Sequence, residues 1–166
     1  VTANTLNNYG TLGSAENLRI VAPTLLNESG LIFSGGDMTL RVNSFTNKFA
    51  DVYSLGMLSI DRDGQGGLAS SIINSSSSIQ SDGSMSLAAS TIHNIRALLT
   101  ISDQGIYTAR IDEIACIEGV NAGDCSGKRN YVWQILQRDK LEVTDASRAS
   151  SITAGGNLSL VGAELL

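Results

Sequence analysis

The chain has 166 residues and is 42% hydrophobic, 5% aromatic and 16% charged, with 17 Gly, 1 Pro and 2 Cys. So little charge with so much Val, Ile and Leu excludes a disordered chain. The formal net charge of −5 argues against nucleic acid as a partner. No apolar run approaches the ~20 residues of a membrane helix.

The apolar residues fall in short alternating runs divided by Gly, Asn, Asp and Ser, which is strand-and-turn chemistry. One pattern spans residues 6–20 and returns at 26–40, 46–60 and 73–87. It starts again at Asn94 and reappears, half complete, at 152–160. Asn7, Asn27, Asn47, Asn74 and Asn94 mark the copies at intervals of 20, 20, 27 and 20 residues. A period near 20 residues implies a solenoid.

With the asparagine as position zero, position five is apolar in every copy: Leu12, Ile32, Val52, Ile79, Leu99. Position eleven holds Leu18, Met38, Leu58 and Met85, and position thirteen holds Ile20, Leu40, Ile60 and Leu87. One polar residue separates the last two columns, so both face one side of a strand. Two residues before the asparagine stand Leu25, Phe45, Ile72 and Ile92, with Thr5 as the exception.

Position seven is serine (Ser14, Ser34, Ser54, Ser81). Position nine is Gly36, Gly56 and Gly83, with Glu16 as the outlier. Glycine there suits a turn with positive φ or a tight backbone approach. The asparagines are expected at corners, each amide bonding its own turn and the asparagine above as a structural ladder. No copy buries its apolar face alone, so the expected fold is all-β. It is a right-handed parallel β-helix, a solenoid of ~20-residue coils. The hand follows the preference of parallel crossovers.

Two segments interrupt the period. Residues 61–67, Asp-Arg-Asp-Gly-Gln-Gly-Gly, stretch one interval to 27. Close carboxylates and glycines hint at calcium. An EF-hand would need a glutamate where Ile72 stands, so a solvated loop is the expectation, with no metal or other cofactor. The serine run at 75–78 reads as an exposed corner.

The larger interruption follows Leu99, and Ile152 takes up position five again. The expected organisation is coils over 1–100, an inserted hairpin over 101–151 and a resumed coil over 152–166, in one continuous domain. Strand-like runs at 105–111, 130–135 and 140–144 flank a loop containing Cys116 and Cys125. A disulfide between these cysteines, closing the tip of an antiparallel hairpin, is preferred to free thiols. Two sulfurs are too few for a metal site, with His93 in the coil, and no base stands near for a catalytic cysteine.

Lys128, Arg129, Tyr131, Trp133 and Arg138 are the candidate receptor-binding residues, because aromatic and arginine side chains anchor interfaces. For Trp133 the preferred reading is that it covers the side of the rod together with Tyr131 and Ile135; both readings can hold, since a hairpin has two faces. Asp37, Asp51 and Asp82 share no column, so no carboxylate pair for glycoside hydrolysis is read. No catalytic residue is assigned, and the segment is not expected to be an enzyme.

Residues 26–40 read Leu-Asn-Glu-Ser-Gly-Leu-Ile-Phe-Ser-Gly-Gly-Asp-Met-Thr-Leu. Residues 73–87 and 151–160 (Ser-Ile-Thr-Ala-Gly-Gly-Asn-Leu-Ser-Leu) repeat the pattern. It resembles the filamentous-haemagglutinin repeat of two-partner-secreted bacterial exoproteins, over about two thirds of the chain. Residues 124–131, Asp-Cys-Ser-Gly-Lys-Arg-Asn-Tyr, and 136–140, Leu-Gln-Arg-Asp-Lys, look like the filament of CdiA-type contact-dependent growth inhibition effectors.

The resemblance implies a secreted, cell-surface filament of a Gram-negative bacterium, exported with an outer-membrane transporter partner. Such a rod presents a receptor-binding region to an outer-membrane protein or surface glycan of a target bacterium, and delivers a toxin domain that these residues do not contain. An adhesin segment binding host cells is the alternative, and a carbohydrate-active β-helix enzyme is a weaker one. Few cysteines are usual in this family, so the pair here marks the insertion as a local elaboration.

Overall fold

A computed structural model describes the backbone of residues 1–114 and 130–166 and the side chains of residues 1–102 and 141–166. The described residues form strands and turns without a helix. The first coil carries β1 (Thr5–Asn8), β2 (Thr11–Ser14) and β3 (Leu18–Val21). The second carries β4 (Thr24–Glu28), β5 (Leu31–Ser34) and β6 (Met38–Arg41), and the third β7 (Ser44–Lys48), β8 (Asp51–Ser54) and β9 (Leu58–Asp61). Next come β10 (Ala69–Ser75), β11 (Ser78–Ser81) and β12 (Met85–Ile95). Strands β13 (Leu99–Ile114) and β14 (Asn130–Ala146) follow, then β15 (Ser151–Ala154), β16 (Leu158–Val161) and β17 (Glu164–Leu165).

Residues 1–98 and 147–166 form one compact unit, and Leu99–Ala146 form a second. In the first unit every strand pair is parallel and joins one coil to the next. One stack runs β2, β5, β8, β11, β15. Another runs β3, β6, β9, β12, β16 and a third β1, β4, β7, β10, β12, β17. Strand β12 serves both because it continues around a corner: residues 85–88 pair with β9 and β16, and residues 89–95 with β10 and β17. Mostly parallel strands in curled sheets, stacked one coil at a time, are consistent with a β-helix.

The columns explain the stacking. Ile20, Leu40, Ile60 and Leu87 are wholly buried one above another, as are Ile32, Val52 and Ile79. Leu25, Phe45, Ile72 and Ile92 line the third stack from inside. Alternation turns every second residue of a four-residue strand inward, so each coil adds few apolar side chains. They join one contiguous core.

Two details depart from the expected columns. In the first coil Asn8, not Asn7, stands opposite Asn27; Asn7 faces outward beside Leu26. The corner between Asn8 and Leu12 is one residue shorter than that between Asn27 and Ile32. Leu6 therefore pairs with Leu25, and Thr5 is no exception. The second detail is Leu99. Position five of the fifth coil belongs to Ile152, which pairs with Ile79, whereas Leu99 pairs with Ala146.

In the second unit β13 and β14 pair antiparallel from Leu99–Ala146 to Ile114–Asn130, with shifts of register near Thr100, Asp103 and Ile106. The expected antiparallel pairing is thus present, in two strands longer than the runs read from the sequence. Cys116 and Cys125 lie outside the described residues.

Candidate functional site

Four polar features are built into the coil corners. The first is a ladder through Asn8, Asn27, Asn47, Asn74 and Asn94. The Nδ2 of each of the first four donates to the Oδ1 of the asparagine one coil on, at 2.8, 2.8, 2.9 and 2.8 Å. Each also donates to a backbone carbonyl at the start of the next strand of the following coil: Leu31, Asp51, Ser78 and Ser151, at 3.0–3.1 Å. Asn8, Asn47 and Asn74 further reach carbonyls of their own corners, Gly10, Ala50 and Ser77. Asn27, Asn47 and Asn74 are wholly buried. A primary amide carries donors and acceptor together, so one column serves both coils it joins.

The corner needs an unusual backbone. Ser29, Phe49 and Ser76, each two residues after a ladder asparagine, have φ of 53°, 48° and 50°. The glycines at position nine do not carry this conformation; they meet the second need named for them, a close approach. A Cβ on Gly36 would lie 2.3 Å from Asn17 Oδ1, and one on Gly56 2.2 Å from Asp37 Oδ1.

Those two oxygens belong to a column that the sequence did not announce. Asn17 Oδ1 accepts from the Asp37 amide, Asp37 Oδ1 from the Met57 amide, and Ser84 Oγ from the Asn157 amide. Buried Ser34 and Ser54, at position seven, bond each other at 3.0 Å and the Gly36 and Met57 carbonyls.

The loop at 61–67 is closed by its own carboxylates. Buried Asp61 accepts from the Gly64 and Gly66 amides, and Asp63 from the Gln65 and Gly67 amides. The Gln65 and Gly67 bonds hold the Asp63 carboxyl below the usual carboxylate range. Both carboxylates are thus committed to backbone. Among the described residues no three His, Cys, Asp or Glu side chains gather where a metal ion would fit.

The serine run at 75–78 departs from its expected exposure. Ser76 and Ser77 are buried because two passes of chain lie over this corner. The outgoing pass touches it through the Ser76 amide to the Ile95 carbonyl, and the Ala97 amide to Ser76 Oγ. The returning pass touches it through Ser147 Oγ on Ser76 Oγ, the Ser77 amide on Ser150 Oγ, and the Ser151 amide on the Ser77 carbonyl. Ser150 Oγ also lies within hydrogen-bond reach of the Asn74 and Ile95 carbonyls, which share its single proton. Arg148 reaches the Ser76 and Ala50 carbonyls and the Asp51 carboxylate. Burial raises the Asp51 carboxyl, but the Ser78 hydroxyl and Arg148 outweigh it and leave a net lowering.

On the outer face of the adjoining stack the Phe33 and Tyr53 rings lie 6.1 Å apart, tilted by 39°. Tyr53 Oη donates to Asp82 at 2.9 and 3.0 Å, and that bond raises the phenol. Asp37, Asp51 and Asp82, the acids weighed for hydrolysis, thus bond different partners: the Met57 amide, Ser78 with Arg148, and Tyr53.

Of the candidate receptor-binding residues, Lys128 and Arg129 lie outside the described residues. Tyr131, Trp133 and Arg138 fall within the described backbone of β14, with Tyr131 opposite Glu113 and Trp133 opposite Ile111. Arg148, Ser147 and Ser150 escaped the sequence reading. Their one signal was position, directly before the strand in which the repeat resumes.

No solved structure matches the chain. A deoxyribonuclease CdiA of Dickeya dadantii (strain 3937) is 30% identical over 103 residues, which is 61% of this chain. The chain spans about 3% of that relative's length. The family model described as "Haemagglutinin repeat" matches residues 1–66, 56–112 and 120–166, nearly the whole sequence. With its coils stacked in the register of that repeat, the chain belongs to the haemagglutinin-repeat family.

Proposed function

We propose that this chain is a segment of a filamentous exoprotein, secreted to the surface of a Gram-negative bacterium with an outer-membrane transporter partner. In this reading it is a right-handed parallel β-helix that carries a contact-dependent growth inhibition toxin towards neighbouring bacteria. The hairpin of the second unit, closed at its tip by Cys116 and Cys125, contributes to binding an outer-membrane protein or surface glycan of the target. Lys128, Arg129, Tyr131, Trp133 and Arg138 are its contact residues. The rod itself turns over no substrate.

The observation that carries this reading is the repeat itself, matched along the chain by the family model and stacked coil on coil in one register. Similarity to a CdiA protein supports the toxin-delivery role over the host-adhesin role. The absence of enzymatic work is supported by the commitment of Asp37, Asp51 and Asp82 to separate structural bonds.

The test uses the full-length protein displayed on cells. Residues 128–131 are replaced by alanine, or both cysteines by serine, and binding to susceptible bacteria is measured with display checked by antibody. Reduced binding at unchanged display is the expected result. Unchanged binding refutes the recognition role of the hairpin. Binding to host cells but not to bacteria refutes toxin delivery.

A further inference from the structure

Two passes of chain meet over the corner at residues 75–78. The register across it is continuous. On the outgoing side Asn94 sits on Asn74 and Ile92 on Ile72. On the incoming side Ile152 sits on Ile79, Leu158 on Met85 and Leu160 on Leu87. Ser78 stands 4 positions after Asn74 in the corner below, and Ser151 stands 57 positions after Asn94 in its place. The difference, 57 − 4, is 53 residues inserted without moving any column.

The ends of the two passes bond each other. The Ser147 amide donates to the Leu98 carbonyl at 3.0 Å, and the Leu98 amide to Ser147 Oγ at 3.0 Å. Arg96 reaches the Ser147 carbonyl. Antiparallel neighbours of this kind bring the chain ends within about 5.5 Å, a gap that a two-residue turn spans.

The serine run gains a physical reason here. An ordinary corner bonds the corner above it, and an opened one leaves polar groups unmatched. Hydroxyls, which both donate and accept, fill that need. The Ser76, Ser147 and Ser150 hydroxyls do so within one cluster, which the Ser77 amide and carbonyl complete, and Arg148 ties the incoming pass down across two coils.

We propose that this cluster is a seam that closes the coil around the insertion, so that Leu99–Ala146 is a module the rod does not need for its fold. The fifth coil is then an acceptor position, able to carry an unrelated segment whose ends meet as an antiparallel pair. This rests on the coil unit alone, and it holds whether or not the hairpin recognises a receptor.

The experiment compares the 166-residue chain with a variant in which Leu99–Ala146 is replaced by Asn-Gly. Circular dichroism and thermal melting are the readouts. The expected result is a retained β spectrum and one cooperative transition within about 5 °C of the parent. An unfolded or non-cooperative variant overturns the proposal. Ser76→Ala combined with Arg148→Ala is then made in both backgrounds. Equal lowering of the melting temperature in the two supports a seam that belongs to the coil. A lowering confined to the parent places its work on the hairpin and overturns the proposal.

Discussion

Replacing Asn47 by alanine tests the ladder where it is best enclosed. Asn47 is wholly buried. It accepts from Asn27 at 2.8 Å and donates to Asn74 Oδ1 at 2.9 Å and the Ser78 carbonyl at 3.0 Å. A fourth contact, to the Ala50 carbonyl at 3.4 Å, is weak. Three good bonds at a net of about 1 kcal/mol each give ~3 kcal/mol, and stranding the buried Asn74 acceptor adds ~1 kcal/mol or more. The expected loss is therefore about 4 kcal/mol, against a total of roughly 5–15 kcal/mol for a domain. Asn7→Ala is the control, because Asn7 is exposed and stands outside the ladder beside Leu26. Urea titration followed by far-ultraviolet circular dichroism gives both values. If Asn47→Ala costs less than ~1 kcal/mol, or no more than Asn7→Ala, the ladder is not a main source of stability and the hydrogen-bond argument fails.

Three other perturbations follow from the same geometry. Phe49 holds φ of 48°, so Phe49→Val should destabilise by about 1 kcal/mol while Phe49→Asn does not; equal shifts in the urea midpoint would refute strain at that corner. A Cβ at Gly56 would lie 2.2 Å from Asp37 Oδ1, so Gly56→Ala should cost ~1–3 kcal/mol, whereas Gly10→Ala, with open space around it, should be near neutral by the same titration. Asp51 has a folded pKa below its unfolded 3.8, so its contribution is present above that value and disappears as the pH falls through the folded pKa. Stability measured from pH 6 down to 2 should therefore fall less steeply in Asp51→Asn than in the parent; parallel curves would exclude this carboxylate as a source of acid sensitivity.

The core was legible because stacking forces every coil to present apolar side chains at the same offsets. Ile20, Leu40, Ile60 and Leu87 form a column in the sequence for the reason that they form one in space. Corner chemistry was less legible. Asn7 and Asn8 are adjacent and chemically identical, and a corner shortened by one residue decides between them. Thr5, the misfit two residues before Asn7, was the available signal. Leu99 satisfied the position-five column because a hairpin strand and a coil strand both alternate. Ser29, Phe49 and Ser76 gave no sign of their positive φ, since none is glycine. Ser76 and Ser77 read as exposed because serine usually is; two passes of chain brought together by a long insertion bury them.

The insertion sits at a corner for an energetic reason. In a stacked coil each strand is paired on both sides, so extra residues inside a strand would break two ladders. Extra residues at a corner break none, and cost only the closure of a longer loop. Lengthening the corner from 4 to 57 residues is nearly four doublings, or roughly 2.3 kcal/mol if the added chain were structureless. Strands β13 and β14 remove most of that cost, because their pairing begins at Leu99 and Ala146 and brings the ends together. The same logic predicts what this corner tolerates. A 48-residue flexible Gly/Ser segment in place of Leu99–Ala146 should lower stability by about 2 kcal/mol relative to the Asn-Gly turn, and an unrelated antiparallel hairpin of similar length should not. Urea midpoints of the three chains decide it: equal stability of the flexible and hairpin replacements would mean that the seam alone, not the paired strands, holds the ends of the insertion together.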